Sequence, residues 1–210
     1  MTEHEPLDWA RRRLALSMLG VPLAPFAPLA LGLPAEAGAA DAVPTDTFTG
    51  RWVHAFAAYG PPKYGPDFTH FDYVNPQAPR GSTLRLKNPD RRSSFDKYNP
   101  WTTRGNAPAG VLIWMVESLG HLVQDEPMTV YGLLAEAINV APDFGSVSFR
   151  LHPKARFNNG DPVTPEDVRH SWSMLASPGA SPDYQTLVGG LTAVEVVDTR
   201  TVRFVFREKA

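Results

Sequence analysis

Ala155-Arg156-Phe157-Asn158-Asn159-Gly160-Asp161-Pro162-Val163-Thr164-Pro165-Glu166-Asp167-Val168 packs a strand end, a turn and a helix start into one short run. Asn158, Asn159 and Gly160 tolerate positive φ, and Pro162 fixes φ in a turn. Thr164 is placed to cap a helix, with Pro165 at its first position and Asp167 three residues after the cap. A carboxylate at that position also faces the positive end of the helix dipole. Val168, Trp172 and Leu175 follow at i, i+4 and i+7, the face the helix is expected to bury. The run predicts a helix over 165–176, broken by Ser177-Pro178-Gly179-Ala180-Ser181-Pro182.

Outward from that run, period-two alternation places Val147, Phe149 and Leu151 on the inner face of a strand over 146–151. A hairpin over 193–197 and 201–206 turns at Asp198-Thr199-Arg200. Upstream, Leu84 and Leu86 mark a first strand over 83–87, followed by a loop over 88–106. Val111, Leu112, Met115 and Leu119 have helical spacing and predict a helix over 109–119. Residues 51–81 mix Trp52, Phe56, Tyr59, Tyr64, Phe68, Phe71 and Tyr73 with prolines. Such a segment cannot form a long helix, but it can lie extended across a domain and bury its rings one by one. Packing is the expectation for these rings, over a platform for sugar or peptide.

The chain has 210 residues, 43% hydrophobic and 10% aromatic, a globular composition rather than a disordered one. A formal net charge of −2 gives no electrostatic footprint for nucleic acid. With no cysteine, a disulfide framework and a thiolate metal site are excluded. Arg11, Arg12 and Arg13 precede an apolar stretch over 14–33, and Ala35-Glu36-Ala37 and Ala37-Gly38-Ala39 follow as cleavage sites. Pro22, Pro25 and Pro28 argue against a membrane anchor, since an interior proline costs a helix ~3 kcal/mol. A cleaved signal is therefore expected, and the arginines permit the twin-arginine route.

No catalytic pattern stands out: there is no Gly-x-Ser-x-Gly, no phosphate loop and no His-Glu-x-x-His. His70 and Asp72 could point the same way on an extended chain, but no third metal ligand accompanies them. Asp161, Glu166 and Asp167 do not match a calcium loop, and capping explains them better. The loop Ser93-Ser94-Phe95-Asp96-Lys97-Tyr98-Asn99-Pro100-Trp101 carries more weight, because it follows the first strand, where an open α/β sheet presents ligand-binding loops. Asn99 before Pro100 reads equally well as a turn start.

The Arg-Phe-x-Asn-Gly-x-Pro-Val-Thr-x-Glu-Asp-Val wording resembles the signature of family 5 extracellular solute-binding proteins, the peptide receptors of ABC importers. Tyr131-Gly132-Leu133-Leu134-Ala135-Glu136, Val140-Ala141-Pro142-Asp143 and Ser146-Val147-Ser148-Phe149-Arg150-Leu151 are similar to the family's approach to this signature. Residues 194–206 fit its next strand pair. Residues 67–81, from Asp67-Phe68-Thr69-His70 to Pro79-Arg80-Gly81, resemble the microcin C and oligopeptide branch. The likeness runs in order from about residue 52 onward.

It implies an α/β fold like the type II periplasmic binding proteins, here truncated to the first part of lobe I and its subdomain, the second lobe being absent. The expected organisation is a signal peptide over 1–39, a leader over 40–81 and part of the solute-binding domain over 82–210. The resemblance implies no enzymatic activity, no cofactor and no metal. It implies a periplasmic protein that captures peptides or peptide-like solutes and hands them to permease subunits in the inner membrane. Ser94, Phe95, Tyr98, Asn99 and Trp101 would border the ligand cleft, with Tyr98 in place of the family's usual aliphatic residue. Alone, the chain is expected to bind weakly and to associate through exposed apolar surface. A secreted interaction module or an inactive remnant is the alternative.

Overall fold

The computed structural model describes residues 49–81, 83, 96–108 and 110–208. In chain order it contains β1 (Ala55–Ala57), a single π-helical turn (Val111–Met115), β2 (Gly120–Leu122), β3 (Thr129–Gly132), β4 (Ala135–Val140) and β5 (Ser146–Leu151). Helices α1 (Pro165–Leu175) and α2 (Pro182–Val188) follow, then β6 (Leu191–Val196) and β7 (Thr201–Phe206). The content is mixed α/β, as expected, and both sheets are antiparallel.

The larger sheet runs β4-β5-β7-β6. Its β5 strand alternates cleanly between buried and half-buried residues. Val147, Phe149 and Leu151 of β5 turn inward, as the period-two pattern requires, with Ile138 of β4 and Val202 and Phe204 of β7. Phe149 and Phe204 meet edge to face at 5.7 Å, the arrangement the ring quadrupole favours. Full burial of an Ile or Leu side chain such as Ile138 or Leu151 stabilises by about 1.5–3 kcal/mol. Helix α1 lies against this face, resting Val168 and Trp172 on the core. Val168, Trp172 and Leu175 are half-buried rather than buried, a correction to the sequence reading; Pro165 is the buried residue of the helix. Val168 and Trp172 rest on the sheet on one side only.

A smaller sheet runs β1-β3-β2, and residues 49–57 tie it to the larger one. Gly50 N–H donates to Val140 O at 2.7 Å, and Val53 exchanges bonds with Ile138 at 2.8 and 2.9 Å, so this stretch covers the β4 edge. It then continues into β1, which pairs with β3. Between β3 and β4, Gly132 sits where an added Cβ would fall far inside contact distance of the Ala135 carbonyl.

Three sequence expectations change. The helix over 109–119 is only the π-turn, after which Val116 is extended at φ −123°. β-branched Val111, Ile113 and Val116 weaken a helix, and no side chain caps it at Gly110. The backbone at 118–119 is instead taken up by strand-like pairing: Leu133 and Ala135 donate to Leu119 O, both at 3.0 Å, and Leu134 donates to Ser118 O at 3.2 Å. Helix α2 was not anticipated, although Ser181-Pro182-Asp183 carries its start signal. The hairpin starts earlier, at Leu191. The signal segment and all but Thr83 of the strand over 83–87 lie outside the described residues.

Candidate functional site

The signature stretch proves to be internally satisfied. Gly160 adopts φ 93°, and its N–H donates to Phe157 O at 2.9 Å. Phe157 N–H donates to Asp161 O at 2.8 Å, and Asn159 Oδ1 accepts from Asp161 N–H at 3.1 Å. Asn159 Nδ2 donates to Asp161 Oδ2 at 2.7 Å. The expected cap forms in both directions: Asp167 N–H donates to Thr164 Oγ1 at 3.3 Å, and Thr164 N–H donates to Asp167 Oδ2 at 2.8 Å. Thr164→Ala is therefore expected to lower stability by about 0.5–2 kcal/mol in denaturant unfolding. An unchanged midpoint would contradict the capping role. Asp161 closes the turn and Asp167 caps the helix.

The loop over 96–106 is built differently. Its ends are clamped: Asp96 N–H donates to Asn106 O at 3.1 Å, and Asp96 Oδ1 accepts from Asn106 N–H at 2.6 Å. Inside, Lys97 Nζ donates to Thr102 O at 2.7 Å and to Thr102 Oγ1 at 2.9 Å. Asn99 Oδ1 accepts from Trp101 N–H at 2.9 Å, a side-chain turn around Pro100. Outside, Ser181 N–H donates to Trp101 O at 2.7 Å, and Thr102 pairs with Ala180, which pins the loop to the turn after α1. Gly105 closes the clamp at φ 79°, with no room for a Cβ beside Asp96. Gly105→Ala should therefore open the loop, read as faster amide exchange at Asn106 with the exchange of β5 unchanged; equal protection at Asn106 would refute the clamp.

Of the residues the resemblance implicates, the loop brings together Tyr98, Asn99 and Trp101, while Ser94 and Phe95 lie outside the described residues. Tyr98 is 65% exposed on the loop, and Trp101 is half-buried. Asn99 spends its carbonyl oxygen on the turn. The arrangement is a hydrogen-bonded loop that shows the Tyr98 ring to solvent.

The aromatic leader forms a second constellation. Tyr64, Phe68 and Phe71 do not bury singly; they gather around Tyr131 of β3, with centroids 5.3–5.8 Å from its ring. Packing is thus the role of these three, while Tyr59 and Tyr73 stay exposed. His70 Nδ1 meets Thr69 Oγ1 at 3.0 Å and Asp72 pairs with Lys63 at 2.7 Å, so the two residues weighed as metal ligands have local partners. A polar latch closes over the rings. Lys63 Nζ reaches Asp125 at 2.8 Å, the Tyr64 hydroxyl donates to Asp125, and the Tyr131 hydroxyl donates to Glu126 Oε1 at 2.6 Å. Sequence reading missed this latch because Lys63 and Tyr64 lie some sixty residues from Asp125.

Lys63, and then Tyr64, hold the Asp125 carboxyl below its ordinary value. Asp125 in turn holds the Lys63 ammonium above its own. The acid's contribution is present above its unfolded value of about 4 and is lost as pH falls through the lower folded one. The ammonium's contribution is present below about 10.4 and is lost as pH rises through the higher folded value. The stability gap between the chain and Asp125→Asn should therefore shrink as pH drops below about 4. An equal gap at acid and neutral pH would contradict the latch.

Residues 129–210 match the bacterial extracellular solute-binding proteins, family 5 Middle. The chain is 35% identical over 179 residues to the probable peptide-binding protein YejA of Agrobacterium fabrum, covering 85% of this chain and 28% of the relative. It is 32% identical over 175 residues to the peptidoglycan-binding protein YepA of the same organism, covering 80% and 28%. A solved oligopeptide ABC transporter substrate-binding domain from Bacillus anthracis aligns at 20% identity and TM-score 0.40, over 44% of this chain and 20% of that one. The chain thus spans about a quarter of the length of the curated relatives it matches. Over residues 129–210, with the signature stretch folded as a capped turn and helix on the β4-β5-β7-β6 sheet, the chain is similar to the bacterial extracellular solute-binding proteins, family 5.

Proposed function

We propose that this chain is part of the periplasmic solute-binding component of an ABC importer, a receptor without enzymatic activity that captures peptides or peptide-like solutes for inner-membrane permease subunits. The observation that carries the reading is the family 5 segment over 129–210. The names of the two Agrobacterium relatives, one a probable peptide-binding protein and the other a peptidoglycan-binding one, favour ligands with a peptide part. Among the described residues no helix is long and apolar enough to cross a membrane. The expected division into signal over 1–39, leader over 40–81 and solute-binding part over 82–210 is kept, as is membership of the microcin C and oligopeptide branch.

In this reading Tyr98 and Trp101, with Ser94, Phe95 and Asn99, border the ligand cleft, and the clamped loop keeps Tyr98, Asn99 and Trp101 in place before the ligand arrives. Preorganisation of this kind reduces the entropy lost on binding. Good sites enclose roughly 70–90% of a ligand, and a receptor gains that enclosure by closing around it, so this chain by itself should bind peptides weakly.

The test grafts this chain in place of the corresponding segment of the Agrobacterium YejA relative and measures peptide binding by calorimetry. The chimera should bind short peptides, and Tyr98→Ala or Trp101→Ala should weaken binding about tenfold if either is an aromatic anchor. A folded chimera that binds no peptide would sink the receptor reading. Unchanged affinity in both variants would remove the loop from the site.

A further inference from the structure

The turn over 158–161 takes no part in the capture of solute, yet it carries a reactive pair. Asn159-Gly160 is the one Asn-Gly step in the chain; every other asparagine precedes Pro, Ala, Val or Asn. Glycine has no Cβ to shield its backbone nitrogen, so that nitrogen can attack the side-chain amide that precedes it. Asn159 and Gly160 are both exposed, and water reaches the pair.

The reaction open to such a pair is deamidation. The Gly160 nitrogen gives up its proton and attacks Cγ of Asn159. The new N–C bond closes a succinimide ring, and the Cγ–Nδ2 bond breaks to release ammonia. Water then opens the ring at either carbonyl. One product is aspartate; the other is isoaspartate, in which the main chain runs through the former side chain. Water is the only co-reactant.

The folded turn keeps both partners off this path. Gly160 N–H donates to Phe157 O at 2.9 Å, which ties down the attacking nitrogen. Asp161 holds the Asn159 amide at both ends: Oδ1 accepts from Asp161 N–H at 3.1 Å, and Nδ2 donates to Asp161 Oδ2 at 2.7 Å. The Phe157 N–H bond to Asp161 O and the pairing of Arg156 with Pro162 close the loop behind them. The side chain must leave Asp161 before Cγ can reach the Gly160 nitrogen.

We propose that Asn159 is a conformation-gated deamidation site: the closed turn protects it, opening exposes it, and the product no longer fits the turn. An oxygen in place of Nδ2 would stand 2.7 Å from Asp161 Oδ2, where two carboxylates repel. Isoaspartate lengthens the main chain, and the Gly160 bond to Phe157 O loses its register. The modification therefore records opening of the turn that leads into α1.

The full chain is incubated folded and in guanidinium chloride at the same mildly alkaline pH. Mass spectrometry follows the tryptic peptide over 157–169, and fragmentation locates the change. Asn159 should convert about tenfold more slowly, or slower still, in the folded chain, as expected when more than one net hydrogen bond must open first. Asn158, in the same peptide, should stay intact. Asp161→Ala frees Nδ2 and should bring the folded rate closer to that variant's own unfolded rate. Asn159→Asp should lower the exchange protection of the Gly160 amide. The proposal is overturned if Asn159 converts as fast folded as unfolded, if it stays intact when unfolded, or if Asn158 converts first. It is equally overturned if folded Asp161→Ala keeps the parent's ratio, or if Asn159→Asp leaves Gly160 fully protected.

Discussion

Replacing Tyr131 by alanine is expected to lower stability by about 3–5 kcal/mol, the range for removing a large buried aromatic ring. Tyr131 is essentially inaccessible to solvent. Its ring is the shared neighbour of Tyr64, Phe68 and Phe71. Its hydroxyl donates to Glu126 Oε1 at 2.6 Å and accepts from the Tyr64 N–H at 3.0 Å. The substitution thus opens a cavity and leaves a buried N–H without its acceptor. Tyr131→Phe separates the two effects: it keeps the ring and should lose about 1–3 kcal/mol from the unpaired donor. Denaturant unfolding of both variants, with amide exchange at Tyr64, checks the account. A loss under 1 kcal/mol for the alanine variant would mean that the leader is not held through this residue.

Gly132→Ala should be nearly as damaging, although it adds a single methyl group. The chain turns from β3 into β4 so tightly that the new Cβ would overlap the Ala135 carbonyl, which is backbone and cannot swing aside. Relief requires moving β3 against β4. That would strain the Gly132 N–H bond to His54 O and the Leu133 and Ala135 bonds to Leu119 O. A loss of about 3 kcal/mol or more is expected, at the upper end of ordinary single substitutions. Thermal unfolding measures it, and a variant within about 0.5 kcal/mol of the parent would show that the turn has room.

What could be read from the sequence was what is local. The capping box needs only Thr164 and Asp167, three residues apart, and it forms as the spacing requires. The β5 alternation is likewise contained within six residues. Long-range pairing was not legible. Val111, Met115 and Leu119 satisfy a helical period, yet Leu119 is claimed by Leu133 and Ala135, and that competition cannot be seen in residues 109–119 alone. The same holds for the Lys63–Asp125 latch and the Arg150–Glu136–Arg200 ion pairs, whose members meet only once the sheets have formed. At the candidate site, the residue types of the 96–106 loop were legible but not their posture. Asn99 reads in the sequence as ligand contact or turn start; its carbonyl oxygen accepts from the Trp101 N–H, a posture that its residue type alone does not fix.

The central proposal is that the clamped loop over 96–106 meets the ligand, while the most recognisable stretch, residues 155–168, serves as scaffold. Hydrogen exchange of the YejA chimera with and without a bound short peptide tests it directly. The account predicts added protection at the amides of residues 97–106 on binding and no change across residues 157–164, whose turn and cap are already closed by their own hydrogen bonds. Added protection at 157–164 with none in the loop would contradict it.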